Sequence, residues 1–547
     1  MNAPIYLDYA ATTPVDPAVV RAMCEALGAA ADQGNAGSIT HVFGRRAQAR
    51  IEAARAQVAA LVGAAPEDIV FTSGATESNN LAILGIARAN VDRGRHIVTS
   101  RIEHKAVLDP CKQLEREGFT VTYLSPDTSG RIAPEALRAV LRPDTVLVSI
   151  MHVNNETGVV QDIRAFGELC RERGIAFHTD AAQSVGKLPL QVDALPVDLL
   201  SFTAHKIYGP KGIGALYVRA QARPSLRPIS FGGGQERGLR PGTLPTHQII
   251  GFGVACEVAS AALATEPTRI AVLRDRLWDS LRRLDGVHLN GEGAPRLPEI
   301  LNVSFAGVEG ESLVTALGSL AVTTGSACNS ASGEPSYVLR ALGRSSQLAQ
   351  SSLRFSLGRG TREADIDRAA SEVRFQVERL RAVSPAGSGA PASFAGASAR
   401  VREPSQVPES AAALASLDDT LSPLARRYFD ALPGAGSMPP TVDSASAVGG
   451  DRVIQGEAGS AGDEAWVRFF LRVRDGSVKA ALFQAYGCPH TLAVTAWLTE
   501  QLTGRPRTDL VPGTPAAWLE ALNVPVEKLG RLLVVEDALR ATLRQWT

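Results

Sequence analysis

A lysine beside a histidine is the first candidate for covalent chemistry in this sequence. Lys206 lies in AHKIYGPKGIGAL, directly after the apolar run VDLLSFT, which predicts a buried strand, and before a glycine-rich turn. A Schiff-base lysine needs a dry strand end and neighbours that keep its amine reactive. This segment alone fits a surface lysine in a loop equally well, so the assignment depends on its companions.

Two further segments supply those companions. FTSGATESNN places Ala75 and Thr76 between a predicted strand and a helix, where backbone N–H groups and a hydroxyl can bind a phosphate. HTDAAQS ends another predicted strand at Asp180, with Gln183 three residues later. A carboxylate there can pair with a protonated pyridine nitrogen, although a helix N-cap explains Asp180 alone. Together with Lys206, these segments indicate a site for pyridoxal 5′-phosphate (PLP).

A sheet must bring these strand ends to one place. Residues 1 to about 383 alternate short apolar runs with helical patterns, which is typical of a parallel α/β sheet. A helix is predicted at 162–174. The predicted strands are 68–73, 96–100, 145–153, 175–180 and 197–203.

The composition changes after this region. Residues 384–421 are rich in Pro, Gly, Ser and Ala, which predicts a flexible linker, and 433–450 is a second poorly structured stretch. A further folded unit, 422–547, contains a predicted hairpin around Asp475-Gly476. The predicted helices that follow are 491–503, 514–522 and 530–545. One small sheet with several helices predicts an α+β module.

The overall composition excludes several classes of protein. The chain of 547 residues is longer than one hydrophobic core usually supports, so we expect more than one domain. Hydrophobic residues make up 45% of the chain, which excludes disorder along its whole length. The 56 basic residues balance the 56 acidic residues, so nucleic acid and acidic membranes are not expected partners. The six cysteines are scattered without a CxxC pair, which favours reduced thiols. With no signal-peptide pattern and no long apolar run, we expect a soluble, cytoplasmic protein.

Longer motifs run through residues 4 to about 375, and they make this region resemble the cysteine desulfurases of iron–sulfur cluster assembly, which are fold-type I PLP enzymes. The resemblance implies an α/β fold, with a mainly parallel seven-stranded large domain (about 16–260) and a small domain (about 1–15 and 261–383). It also implies L-cysteine as substrate and a homodimer. The motifs are IYLDYAATTPVDP, FTSGATESNN, EHKAVLDPC, SIMHVNNETGVVQDI, HTDAAQSVGK, HKIYGPKGIGALYVR, GTLPTHQIIG, GSACNSASGEPSYVLRALG and SSLRFSLGR.

Carried over position by position, the resemblance implies roles around the cofactor. Lys206 would form the Schiff base with PLP, and His104 would stack on the ring and transfer protons. Asp180 would keep the ring nitrogen protonated, and Gln183 would hydrogen-bond the phenolic oxygen. The groups that would bind the phosphate are Ala75, Thr76, Thr203, His205 and, from the other subunit, Thr243.

Cys328 carries the chemistry that distinguishes this family. It lies in TTGSACNSASGEPS, which predicts a mobile loop, whereas Cys24, Cys170 and Cys256 lie on helical patterns and are expected to be buried and inert. The Cys328 thiolate would attack the sulfur of bound cysteine, keep it as a persulfide and leave alanine. That persulfide is also a candidate cluster ligand.

Asn155 and Arg354 match the family positions that hold the substrate carboxylate. Asn155 would also contact PLP, and the guanidinium fork of Arg354 suits a carboxylate. Other positions depart from the family pattern without removing a catalytic group. We expect them to affect partner docking or loop motion. They are Asn329, Phe231, Gln235 and Pro241.

Residues 422–547 resemble the U-type scaffold proteins on which iron–sulfur clusters are built. The resemblance is carried by RYFDALPGAGSM, by GDEAWVRFFLRVRDGSVKAALFQAYGCPHTLAVTAWLTEQLTG and by KLGRLLVVEDALRATL. The family uses three cysteines and one further ligand. Here Cys488 remains, whereas Ala461 and Arg531 stand at the other two cysteine positions.

Three hypotheses for this unit stay open. Cys488 would accept sulfur from Cys328 across the linker, as a high effective concentration would allow. A weak zinc site would use Asp463, Cys488 and His490. Alternatively, the unit is degenerate and aids folding, solubility or docking.

Alternatives for the first region also stay open. They are a selenocysteine lyase or another PLP lyase, an aminotransferase, and a non-catalytic assembly platform. The intact set of Lys206, His104, Asp180 and Cys328 argues against a platform, and an aminotransferase gives Cys328 no role. The expected partner is an iron–sulfur scaffold or another sulfur acceptor protein, with no nucleic acid and no membrane.

Overall fold

The computed structural model describes most of both predicted units. Four residues named above, Cys328, Asn329, Ala461 and Asp463, lie outside the described residues, as does nearly all of the predicted linker. The described ranges are 4–28, 33–222, 225–324, 335–384, 421–439, 452–460, 464–510 and 513–546.

Twelve strands are described before the predicted linker. They are β1 (Ile5–Tyr6), β2 (Ile69–Thr72), β3 (His96–Ser100), β4 (Thr120–Leu124), β5 (Thr145–Ser149), β6 (Ala176–Asp180), β7 (Leu199–Thr203), β8 (Gly214–Val218), β9 (Val287–Leu289), β10 (Ile300–Phe305), β11 (Leu320–Ala321) and β12 (Ser352–Ser356). Seven of them form one sheet in the order β2-β8-β7-β6-β5-β3-β4, in which β8 runs antiparallel to both neighbours. The predicted mainly parallel seven-stranded sheet is therefore confirmed.

Helices cover both faces of this sheet. Alternate residues of a strand point to opposite faces of the sheet. The apolar residues of these strands accordingly belong to two separate clusters, one on each face. Val98 and Val148 join one cluster, whereas Ile97 and Leu147 join the other. The helices of this region are α1 (Pro17–Gly28), α2 (Val42–Val62), α3 (Ala75–Ala89), α4 (Lys105–Arg116), α5 (Pro134–Val140), α6 (Ile163–Glu172), α7 (Thr246–Ala262), α8 (Glu266–Leu281), α9 (Gly310–Ala316), α10 (Tyr337–Ala341), α11 (Ser346–Gln350) and α12 (Glu363–Val383).

A smaller layer joins both ends of this region. β12, β10 and β9 form an antiparallel sheet, and β1 pairs in parallel with β11. Asp8, just after β1, bridges to Ser356 at the end of β12. Among the described helices, no single one is long and apolar enough to cross a membrane, and only α7 with α8, bent by 72°, passes as a pair on length and composition.

The C-terminal unit is built on three antiparallel strands. They are β13 (Arg452–Ser460), β14 (Ala465–Arg474) and β15 (Ser477–Tyr486), and the helices are α13 (Pro423–Ala431), α14 (Pro489–Leu502), α15 (Pro515–Leu522) and α16 (Leu529–Arg544). Asp475 (φ 50°) and Gly476 (φ 69°) both adopt the left-handed region, as a two-residue hairpin turn requires. The predicted hairpin and the three predicted helices are present, but β13 was not predicted.

The C-terminal unit packs against the smaller layer. One continuous apolar cluster includes Leu313 of α9, Leu380 of α12 and Leu492 of α14. Polar contacts also join the two parts of the chain. They are Lys528 Nζ to Glu311 Oε2 at 2.9 Å, Ser312 Oγ to the Gly487 carbonyl at 2.8 Å, Gln350 Nε2 to Glu464 Oε1 at 2.7 Å, and Arg379 Nη1 to the Phe429 carbonyl at 2.9 Å. The unit is docked onto the first region.

Candidate active site

A cavity of about 510 Å³ opens at the carboxyl ends of the parallel strands. Binding sites in open α/β sheets are found at this edge. The cavity brings together most of the residues that the sequence predicted. They are Ala75, Thr76, His104, Asn155, Asp180, Gln183, Thr203, His205, Lys206 and Arg354.

The turn between β2 and α3 is shaped to receive an anion. Gly74 precedes the helix with φ 155°, a conformation that favours glycine. A Cβ built there would meet a single atom within 4 Å, Thr203 Oγ1 at 3.8 Å, so a side chain would fill open space in front of the helix. No side chain caps this helix start, and Ala75 and Thr76 present its first N–H groups. The arrangement fits a phosphate.

Asp180 ends β6 as a buried carboxylate, with 6% of its surface exposed. Oδ2 accepts a hydrogen bond of 2.7 Å from Asn79 Nδ2, and Oδ1 accepts one of 2.9 Å from the Ala182 N–H. These bonds fix the carboxylate at the cavity wall. A fixed carboxylate at this depth fits the protonated ring nitrogen of PLP.

Lys206 follows β7 on a single 3₁₀ turn, Ala204–Lys206, and lines the cavity. His205 beside it contacts Thr12 Oγ1 through Nδ1 at 3.2 Å. Burial and the neighbouring ammonium of Lys206 lower the pKa of His205 to about 4. His205 is therefore neutral at pH 7.

His104 caps the start of α4. Its Nδ1 accepts a hydrogen bond of 3.1 Å from the Ala106 N–H. Burial lowers the pKa of His104, although Asp180 opposes that effect. The neutral imidazole therefore carries its hydrogen on Nε2.

Arg354 on β12 is 2% exposed and reaches the other side of the cavity. Nη2 donates to Asp8 Oδ1 at 2.7 Å, and Nη1 donates to the Asn155 carbonyl at 2.9 Å. Its buried Nε has no hydrogen-bond partner within the described part of the chain. Arg354 lines the cavity, and the fork of its guanidinium suits an anion such as a carboxylate.

Asp8 and Asn79 are functional residues that sequence reasoning missed. The Asp8 carboxylate is paired with Arg354. Burial raises the pKa of Asp8 above its ordinary value, although Arg354 opposes this effect. Both residues lie inside motifs that carried the resemblance, IYLDYAATTPVDP and FTSGATESNN. Only their contacts, which join distant segments of the chain, reveal what they support.

Cys328 lies outside the described residues, but both flanks of its segment are attached to the site. The Thr323 carbonyl accepts a hydrogen bond of 2.7 Å from the Arg354 N–H. On the other side, Tyr337 Oη donates to the Glu103 carbonyl at 2.7 Å, and Tyr337 lines the cavity. The chain therefore enters and leaves this segment beside the cavity.

Thr243 is exposed and does not line the cavity of the single chain. Phe231 is 86% exposed, and Gln235 Oε1 accepts a hydrogen bond of 2.8 Å from the Gly242 N–H.

The cysteines on helical patterns differ from one another in burial. Cys170 and Cys256 are fully buried, which raises the pKa of each thiol. Cys24 is exposed, so the expectation that it is buried was wrong, because it lies on the outer face of α1.

Cys488 begins α14 and is fully buried. Its sulfur lies 3.4 Å from Thr491 Oγ1. Burial lowers the pKa of Lys528 and of Arg531, but the Cys488 sulfur and nearby carboxylates more than offset this, so both pKa values lie above their ordinary range. His490 is buried beside it. Among the described residues, no three His, Cys, Asp or Glu side chains are grouped to hold a metal ion.

Comparisons with known proteins agree on the first region. The family model described as aminotransferase class-V matches residues 5–369. The cysteine desulfurase IscS of Serratia proteamaculans is 58% identical over 385 residues, which cover 70% of this chain and 95% of that protein.

Solved structures give the same result. A NifS-like protein matches with a TM-score of 0.64 and 35% identity, over 69% of this chain and 100% of that one. The structure of SspA in complex with cysteine matches with a TM-score of 0.58 and 41% identity, over 64% of this chain and 98% of that one. The chain belongs to the cysteine desulfurases, within the class-V aminotransferase family.

Proposed function

We propose that the chain converts L-cysteine to L-alanine and holds the released sulfur as a persulfide on Cys328, for delivery to iron–sulfur cluster assembly. The observation that carries this proposal is the meeting of Lys206, Asp180, His104 and Arg354 in one cavity. The family depends on PLP, and the helix N-terminus, buried carboxylate and lysine of this cavity fit its phosphate, ring nitrogen and aldehyde.

PLP, when bound, supplies an electron sink for bonds at the substrate carbon atoms. Lys206 would hold the cofactor through its amine. Asp180 would keep the ring nitrogen protonated, and Gln183 would hydrogen-bond the phenolic oxygen. Ala75, Thr76, Thr203 and His205 would bind the phosphate.

Arg354 would bind the substrate carboxylate with the fork that Asp8 and the Asn155 carbonyl orient. This would fix the orientation of cysteine in the cavity. His104 would hold a proton on Nε2 and pass it between substrate atoms.

Cys328 would act as the nucleophile. Its thiolate would attack the substrate sulfur and form the persulfide S–S bond. The carbon–sulfur bond would break with its electron pair left on carbon, and protonation of that carbon would give alanine. The attachment of both flanks of its segment at Arg354 and Glu103 supports this role.

A homodimer is part of this proposal. Thr243 is exposed and absent from the cavity of its own chain. It would reach the phosphate bound by a second subunit, which would complete the cradle.

For the C-terminal unit we propose a scaffold-like domain with a docking or structural role. Cys488 is fully buried and engaged with Lys528 and Arg531. The burial of Cys488 favours this role over an open sulfur relay. The cations Lys528 and Arg531 beside it favour this role over a zinc site with Asp463 and His490.

The test is to give sulfur-labelled cysteine to the PLP-loaded chain, quantify alanine and map labelled persulfide by non-reducing peptide mass spectrometry. Alanine with label on Cys328 is the expected result. Label on Cys488 as well would establish a relay, and no alanine at all would overturn the enzyme assignment.

A further inference from the structure

A buried lysine outside the proposed catalytic set lies directly behind the cavity. Lys187 is 8% exposed and follows β6 within a turn, where its N–H donates to the Ser184 carbonyl at 3.0 Å. Lysine is rarely buried unless it is paired. Burial lowers the pKa of Lys187, and the carboxylate of Glu299 opposes this effect.

The side chain of Lys187 contacts a residue of the site. Its Nζ donates to Gln183 Oε1 at 3.5 Å, and Gln183 Nε2 in turn donates to the Ala10 carbonyl at 2.9 Å. An ammonium has donors only, whereas an amide has an accepting oxygen and a donating nitrogen. Lys187 therefore favours the orientation that turns the oxygen of Gln183 toward itself and leaves a second Nε2 hydrogen for the cavity.

The surroundings of Lys187 are charged. It shares with Glu299 and Lys206 the wall of a second cavity of about 20 Å³. Glu299 is 6% exposed, and its Oε2 has no hydrogen-bond partner within the described residues. The other titratable or charged groups described around this lysine are Tyr9, His205, Tyr208, Glu266, Arg354 and Arg359.

We propose that Lys187 is a positioning residue that locks the amide of Gln183 with its N–H toward the phenolic oxygen of PLP. The inference rests on the proposed function, since it needs PLP in the cavity. Without Lys187 the amide keeps only its bond to the Ala10 carbonyl, so the flipped orientation, which would present its oxygen to an anionic oxygen of the cofactor, becomes less costly.

The visible absorbance of the PLP-loaded chain, titrated with pH, tests this role. The absorbance change follows a proton shared between the Schiff-base nitrogen and the phenolic oxygen. A donor to that oxygen favours its anionic form, so losing the donor makes the proton harder to remove. In Lys187→Met the midpoint should rise by about half a pH unit or more. The exposed control Lys112→Met should leave it unchanged.

Loss of the lysine charge would shift the midpoint in the same direction, so a double-mutant comparison separates the two causes. In a Gln183→Leu background, Lys187→Met should shift the midpoint by less than half as much as in the wild-type background. An equal shift in both backgrounds would show that Lys187 acts through charge alone and would overturn the proposal.

Lys187→Gln gives a second variant if the methionine variant does not fold, because it keeps a donor without the charge. Its midpoint should stay closer to that of the wild type than to that of Gln183→Leu. A wild-type chain that binds no PLP would contradict the proposed function. Normal absorbance with no effect of any Lys187 variant would contradict only this inference.

Discussion

Reversing one charge should loosen the C-terminal unit from the desulfurase region. Lys528 Nζ lies 2.9 Å from Glu311 Oε2, and the two side chains are 22% and 28% exposed. Lys528→Glu removes this attraction and places a carboxylate beside Glu311, with Glu309 nearby. Fully exposed pairs contribute up to about 1 kcal/mol, and breaking buried pairs costs about 3–5 kcal/mol. The energy of this partly buried pair should lie between these two values. A loss of about 2 kcal/mol corresponds to a change of about 30-fold in the docking equilibrium.

Hydrogen exchange on the intact chain measures that equilibrium directly. Amides of α9 and of the start of α14 should exchange about 30-fold faster in Lys528→Glu if they exchange through undocking. Adding Glu311→Lys should restore part of the protection, but not all, because Arg531 Nη1 lies 3.9 Å from Glu311 Oε2 and would repel the new lysine.

The matched control is Arg540→Glu on α16, the helix that directly follows Lys528, and it disrupts a pair with Glu536 inside the unit. It should leave exchange at α9 unchanged. If wild type and Lys528→Glu exchange equally fast at α9, the ion pair does not hold the two parts together and the reasoning is wrong.

Three further predictions concern the desulfurase region. Arg354→Lys loses the guanidinium fork and its bonds to Asp8 and the Asn155 carbonyl, so kcat/KM for cysteine should fall by about 100-fold, mainly through KM, in a steady-state alanine assay. Cys328→Ser should keep the cofactor absorbance and lose alanine formation, and retained alanine would exclude it as the nucleophile. Burial raises the pKa of Glu103 to about 8, so the folded chain keeps a proton that the unfolded chain releases above about pH 4.5. The stability that the protonated Glu103 contributes is therefore lost as pH rises toward 8. Between pH 5 and pH 9, the urea midpoint of unfolding should fall less in Glu103→Gln than in the wild type.

The sheet was predictable because its strands are buried on both faces. Such strands read as continuous apolar runs, as in Thr145–Ser149 and Leu199–Thr203, where every residue is buried. The ends were less predictable. The apolar run at 145–153 suggested a longer strand, but β5 ends at Ser149, since the residues that follow turn toward the cavity.

What could not be predicted depends on contacts between distant segments. Asp8 holds Arg354 across the chain, and no local pattern reports that pair. β13 was missed because its sequence is polar and contains Gly456. A Cβ there would lie 2.2 Å from the Thr542 backbone nitrogen, so the glycine is required by the close approach of α16. Cys24 was misjudged because a helical pattern does not tell which face lies against the core.

Docking changes how the C-terminal unit can take part in sulfur transfer. A tethered module gains from high effective concentration only while it moves freely, but here the unit lies against α9 and its one thiol, Cys488, is fully buried. A relay would therefore need the interface to open first. In that case Lys528→Glu, which loosens docking, would increase labelled sulfur on Cys488. A docked structural role instead predicts no label there in either protein, with alanine formation unchanged. The Lys528→Glu substitution thus distinguishes a Cys488 that accepts sulfur after the interface opens from a Cys488 that only stabilises the interface.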